Sequence, residues 1–112
     1  MVRIAGMRPR TPEESFWSYV HELYERMDAD APEDHVARVN VHLHGGESFA
    51  PGLAQSVPPW MIFQSFDEDQ EPRVVIVRPE EIAKIELRFV SNHEIQRSIG
   101  FQFKPPGAPA DG

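Results

Sequence analysis

Two histidines and a carboxylate lie close together near the middle of this 112-residue chain, in the stretch VHLHGGESFAPG. His42 and His44 occupy alternate positions, so on a β-strand both imidazoles project from the same face. Glu47 follows after a short gap. Imidazole and carboxylate groups that meet about 2 Å from one ion are ligands for zinc. These three residues therefore define a candidate metal site.

The spacing of this stretch fits a strand and turn better than a metal site. Two histidines and a glutamate resemble the first metal-binding motif of the cupins, but that motif has glycine six residues before the first histidine, and Val36 stands there. Only Gly45 and Gly46 separate His44 from Glu47, where the cupin motif has three or four residues. We expect the histidines to form the polar face of a half-exposed strand that ends in a Gly-Gly turn. Cupin-like metal binding is the alternative.

Other signatures of catalysis are absent from the sequence. It contains no Gly-x-Ser-x-Gly, Walker-type or Gly-x-Gly-x-x-Gly motif. The chain has no cysteine, which excludes thiolate nucleophiles, disulfides and cysteine-ligated zinc. Adjacent carboxylates, such as Glu80 with Glu81 and those in 67–71, are typical of solvated turns. We therefore expect neither an enzyme nor a resident cofactor.

The charge balance argues against polyanionic partners. Asp and Glu number 18 against 11 Lys and Arg, which gives a net charge of −7 and repels RNA and anionic membranes. Residues 1–10 contain no apolar signal region, and no stretch approaches the roughly 18 apolar residues of a membrane span. These features predict a cytoplasmic protein with no membrane partner.

A helix is predicted where the folded part begins. Thr11 can be the N-cap, Pro12 suits the first helical position, and Glu14 stands where a capping-box carboxylate belongs. Apolar residues then recur at helical spacing to about Met27. The predicted packing face consists of Phe16, Val20, Leu23 and Met27, flanked by Trp17 and Tyr24.

After a polar linker the apolar period changes from helical to two. In VARVNVHL one face carries Ala37, Val39, Val41 and Leu43. Further strands are predicted at ESFAPGLAQSV, WMIFQSF, RVVIV and IAKIELRFV, with IGFQF as a candidate sixth. RVVIV is apolar on both faces, which favours a central position. The pattern predicts a mainly β fold with an N-terminal helix, a small and strongly bent antiparallel barrel of five strands, or six. One domain spans 11–103, between a flexible arm at 1–10 and a disordered tail at 104–112.

Residues 36–90 resemble the Sm-like (LSm-type) small β-barrel family. The match is carried by VNVHLHGGESFAPGLA and by VVIVRPEEIAKIEL, where a hydrophobic strand runs into Arg78 and then an I-x-x-I pattern at Ile82 and Ile85. The resemblance implies a barrel that pairs its fourth strand with the fifth strand of the next subunit and closes into a ring. Another small barrel of SH3-like type is the alternative. The expected oligomer interface consists of Val75, Val77, Ile85, Leu87 and Phe89.

The same resemblance implies a candidate RNA site at Arg78, with Trp60 able to stack a base. The family's Gly-Asp or Gly-Asn after this arginine is replaced by Pro79, Glu80 and Glu81, and carboxylates beside a phosphate path are unfavourable. We therefore expect a non-catalytic binding or assembly module that forms a homo-oligomer. An Sm-like RNA-binding protein is the alternative. A candidate sixth strand could instead cover the edge of the fifth.

Overall fold

The computed structural model describes residues 11–66, 71–91 and 100–106. Its elements are α1 (Pro12–Ala29), β1 (His35–Leu43), β2 (Ser48–Phe49), β3 (Pro51–Val57), β4 (Trp60–Phe66), β5 (Pro72–Val77), a 3-10 turn (Pro79–Glu81), β6 (Ile82–Ser91) and β7 (Gln102–Lys104). The fold is mainly β with a helix ahead of the strands, as predicted. The predicted arm at 1–10 and most of the predicted tail lie outside the described residues.

The strands form two sheets. One has the order β2–β1–β6 and the other the order β5–β4–β3–β7. The predicted second strand is divided by Ala50 into β2, which pairs with β1, and β3, which pairs with β4. The ladders between the described strands are antiparallel, except that between β3 and β7, which is parallel. The candidate sixth strand therefore lies beside β3 and not beside β6.

Inward-facing side chains of both sheets meet one face of α1 in a single core. Alternate residues of β1 and β4 are buried, as the period of two predicts. Trp17 is the largest fully buried side chain, and its ring centroid lies 5.5 Å from that of Phe63 and 6.4 Å from those of Phe101 and Phe103. Because burying an aromatic side chain removes a large apolar area from water, Trp17 is a principal contributor to this core.

The helix begins as predicted but packs through a different face. The Thr11 hydroxyl accepts from the Glu14 backbone N–H at 3.1 Å, which confirms the N-cap. Trp17, Val20 and Tyr24 are buried, whereas Phe16 is 48% exposed and Leu23 only half-buried. The prediction that Phe16 and Leu23 lead the packing was therefore wrong. The indole is drawn inward by aromatic residues of β4 and of 101–103, which the helix sequence alone does not reveal.

The strand predicted to be central, RVVIV, is an edge strand among the described residues. It forms β5, which pairs with β4 alone. Val77 is buried and Val75 packs partly against the core, but Val74 and Ile76 are 59% and 57% exposed. Two apolar faces predict a strand that is covered on both sides, yet no described element covers the outer face of β5. This exposed apolar surface calls for a functional explanation.

Candidate functional site

The two histidines and Glu47 do not converge on one point. His42 Nε2 lies 3.3 Å from Glu86 Oε1 on the neighbouring strand, and the His44 backbone N–H donates to the Glu81 carbonyl at 2.9 Å. Glu47 forms an ion pair with Arg73. Within the described ranges, no group of three or more His, Cys, Asp or Glu residues is placed to hold a metal ion. The stretch behaves as a strand and turn.

The local backbone explains this divergence. The Leu43 N–H donates to the Glu47 carbonyl at 2.8 Å, which closes the turn directly after β1. Gly46 has a φ of 98°, a conformation that favours glycine. The β1–β6 register also shifts between His42 and Leu43, so the strict alternation that would align both imidazoles ends there.

The structure does bring Arg78 and Trp60 together. Strands β4 and β5 are antiparallel, and Val77 lies opposite Met61. Because Arg78 follows Val77 and Trp60 precedes Met61, these two residues lie side by side. The Arg78 guanidinium carbon lies 5.3 Å from the centroid of the Trp60 ring, a cation–π geometry. Trp60 is 43% exposed, so its indole could also contact a planar ligand. The Arg78 backbone N–H donates to the Glu81 carboxylate at 3.2 Å, which fixes the turn that follows.

The predicted oligomer-interface residues divide between the core and the surface. Val77 is buried, Val75, Ile85 and Leu87 are partly buried against the core, and Phe89 is 40% exposed. Their inward orientation follows from register, since Ile85 and Leu87 lie opposite the buried Val41 and Val39. Sequence reasoning missed the two residues of β5 that are most exposed, Val74 and Ile76. The alternation of RVVIV could have identified them once its inner face was known.

These two residues belong to a larger apolar surface. We define the apolar face as the outward side of β3, β4 and β5, whose exposed large side chains are Val57, Trp60, Phe66, Val74 and Ile76. A groove of about 330 Å³ crosses one end of it, lined in part by Leu53, Gln64 and Gln102. No outward position of the described β3, β4 and β5 is an Asp or Glu. In a chain with net charge −7, this absence makes the face suitable for an apolar partner.

A second groove, of about 720 Å³, lies between the first turns of α1 and the start of β6. Phe16 and Trp17 line one side, and the consecutive residues 82–85 line the other. Because consecutive strand residues point to opposite faces, a groove that touches all four lies along the edge of β6. Burial raises the pKa of the Glu13 carboxyl at its rim, and the charges of Glu14 and Glu80 add to that effect.

Comparisons with protein-family models, with curated proteins and with solved structures found no match to this chain. Among the described residues, no helix combines the length and apolar character needed to cross a membrane. What the protein does must therefore be inferred from the geometry of its own surfaces.

Proposed function

We propose that this protein is a non-catalytic assembly module, a small Sm-like barrel that forms a homo-oligomer through its strand edges. The observation that carries the proposal is β5, an edge strand whose Val74 and Ile76 are each more than half exposed. An edge strand presents unpaired backbone N–H and C=O groups that another strand can satisfy. Here the exposed apolar side chains add an area that pairing would remove from water.

The order of strand pairing supports the barrel part of this proposal. If β2 and β3 are taken as one strand bent at Ala50, pairing runs continuously from β6 through β1, this bent strand and β4 to β5. The 3-10 turn Pro79–Glu81 joins the two ends of that series, as a short connection does in a small bent barrel. An SH3-like barrel would share these features, so assembly state distinguishes the two interpretations.

The second edge needed for assembly is provided by β6. In the described part of the chain it pairs with β1 alone, and β7 lies on the other sheet. The groove beside 82–85 gives an arriving strand apolar side chains to contact, including Phe16 of α1. We propose that β5 of one copy pairs with β6 of the next. Two different edges form a head-to-tail contact, which rotational symmetry can close into a ring.

Light scattering coupled to size-exclusion chromatography tests the proposal. The wild-type protein is expected to be an oligomer at tens of micromolar, and the double variant Val74→Lys/Ile76→Lys a folded monomer, since both side chains are exposed. Tyr19→Lys is the control, because Tyr19 is 52% exposed on α1 and does not line the groove beside β6. A monomeric wild type, or an oligomer that survives the double substitution, would refute assembly through β5. Leu87→Lys is less suitable because Leu87 packs against the core.

RNA binding is a second candidate because Arg78 and Trp60 are neighbours with an exposed indole. Stacking of a base on an aromatic ring contributes about 1–3 kcal/mol. The carboxylates of Glu80 and Glu81 beside this pair oppose phosphate, so we expect weak binding at about 0.15 M salt. Fluorescence anisotropy with a uridine-rich oligonucleotide is the test. Submicromolar binding that is lost in both Trp60→Ala and Arg78→Ala would favour this candidate over a purely self-assembling module.

A further inference from the structure

The outward side of the three-stranded sheet has a chemistry unlike the rest of this acidic protein. In the β1–β6 register, Arg38 lies directly opposite Arg88, Asn40 opposite Glu86, and His42 opposite Lys84. We call these residues the cationic face. Three of the six carry a permanent positive charge and one carries a negative charge, while the whole chain has net charge −7. Directly opposed side chains on a sheet have Cβ atoms about 5 Å apart, so the two arginines are close neighbours.

This face has hydrogen-bond donors without acceptors. Arg38 Nε and Asn40 Nδ2 are both buried, and neither has a hydrogen-bond partner among the residues that the structure describes. The two residues are two positions apart on β1, so their side chains leave the same face about 6–7 Å from each other. The one carboxylate on this described face, Glu86, is within 3.3 Å of His42. A buried donor without a partner is unfavourable, and so are like charges placed directly opposite.

We propose that the cationic face binds a phosphoryl group between Arg38 and Arg88, with the Asn40 amide as an additional donor. Guanidinium groups match phosphate oxygens through paired N–H bonds. A phosphate carries close to two negative charges and several acceptor oxygens, enough for both arginines and the amide. A carboxylate has one charge and two oxygens, which leaves part of the cluster unmatched. Arg88 is exposed and Arg38 half-buried, so a ligand can approach both guanidinium groups, and its contact with the buried Arg38 Nε and Asn40 Nδ2 requires these two side chains to turn toward it.

The phosphoryl site and the proposed assembly use different groups of β6: strand pairing would use the backbone N–H and C=O groups along its edge, whereas the phosphoryl site uses side chains on the outward side of the sheet. Calorimetric titration with inorganic phosphate, at constant ionic strength set by chloride, is the test. Saturable binding is expected for the wild type, with affinity lowered about tenfold or more in Arg38→Gln and Arg88→Gln. The Arg88→Lys variant should also bind phosphate more weakly, because lysine keeps the positive charge but lacks the paired N–H donors of the guanidinium group. Arg26→Gln, which removes an exposed arginine of α1, should bind as the wild type does.

Two comparisons make the result decisive. Acetate should bind more weakly than phosphate, and equal binding of the two would overturn the phosphoryl assignment. Titrations with O-phosphoserine and with adenosine monophosphate identify the kind of molecule that carries the phosphoryl group. Equal affinities would show that the phosphoryl group alone is recognised. A higher affinity for one of them would show whether a phosphorylated side chain or a nucleotide is preferred. Absence of saturable binding, or an Arg88→Gln variant that binds like the wild type, would overturn the site. Because Arg88 is exposed, this variant keeps the test valid if Arg38→Gln does not fold.

Discussion

The outer faces of the two sheets differ in chemistry although their inner faces share one core. The three-stranded sheet presents arginines, a lysine and a glutamate outward, and the four-stranded sheet presents Trp60, Val74, Ile76 and other apolar side chains. Apart from the buried Ser56 and Ser65, the buried inward positions of both sheets are apolar and contribute to the same cluster. Burial in the core therefore accounts for the residue types on the inward side of each sheet. The residue types on the outward side must be accounted for by the molecules that this side contacts in solution. We infer a small anionic ligand for the cationic face and a second copy at the edge of the apolar face.

The core common to both sheets should be the most sensitive part of the molecule. Trp17→Ala is expected to lower the free energy of unfolding by about 3–5 kcal/mol, as truncation of a buried aromatic residue does. That is a large fraction of the 5–15 kcal/mol typical of a domain, so both outer surfaces would be lost together. Urea denaturation followed by tryptophan fluorescence and circular dichroism measures the change. The matched control is Phe16→Ala, which should cost about 1 kcal/mol or less because Phe16 is half-exposed.

Salt should separate the two outer faces. Raising sodium chloride from about 0.1 to about 1 M shortens the screening length from about 10 to about 3 Å. Phosphate affinity of the cationic face should therefore fall several-fold, while an oligomer held by β5 should keep its mass, because apolar burial and strand pairing do not depend on ion pairs. Calorimetry and light scattering on the same samples measure the two effects. Dissociation of the oligomer by salt would show that charged contacts hold it together.

The histidines near the end of β1 should be nearly neutral for stability. The double variant His42→Gln/His44→Gln is expected to change the free energy of unfolding by no more than about 1 kcal/mol, since both side chains are at least partly exposed. Thermal melting of the wild type in EDTA should match melting without it. A decrease of several degrees on chelation would instead support the cupin-like metal alternative.

The smallest expected effect is at the α1–β6 groove. Because burial and neighbouring carboxylates raise the pKa of Glu13 above its ordinary value of 4.5, the folded state holds this proton more tightly than the unfolded state. Protonated Glu13 therefore contributes fully to stability at pH values below its ordinary pKa, and this contribution is lost as pH rises through the raised pKa. Glu13→Gln should lack this loss, so its advantage over the wild type should grow as pH rises from 4 to 7 and stay below about 0.5 kcal/mol for a partly exposed charge. Thermal melts across this pH range, with Glu22→Gln as an exposed control on α1, measure the difference.

Local sequence patterns were sufficient for most of the secondary structure. The Thr11 cap, the inward residues of β1 and the Gly46 turn follow from interactions between residues close in sequence. Strand positions were also predicted, because alternation and turn residues are visible without knowledge of partners. The candidate histidine site could be judged from spacing, and its residues are separated in the structure.

Tertiary structure decided which faces meet and which strands are edges. Trp17 rather than Phe16 packs inward because of aromatic residues far away in the sequence, and β7 pairs with β3 rather than with β6. The contact of Arg78 with Trp60 and the opposition of Arg38 and Arg88 depend on register between separate strands. A shift of one residue in pairing would move every one of these side chains to the other face. The sequence by itself therefore determined the elements and their periodicity, and only the long-range pairing of strands, which is set by the shared core, determined the two surfaces from which function is inferred.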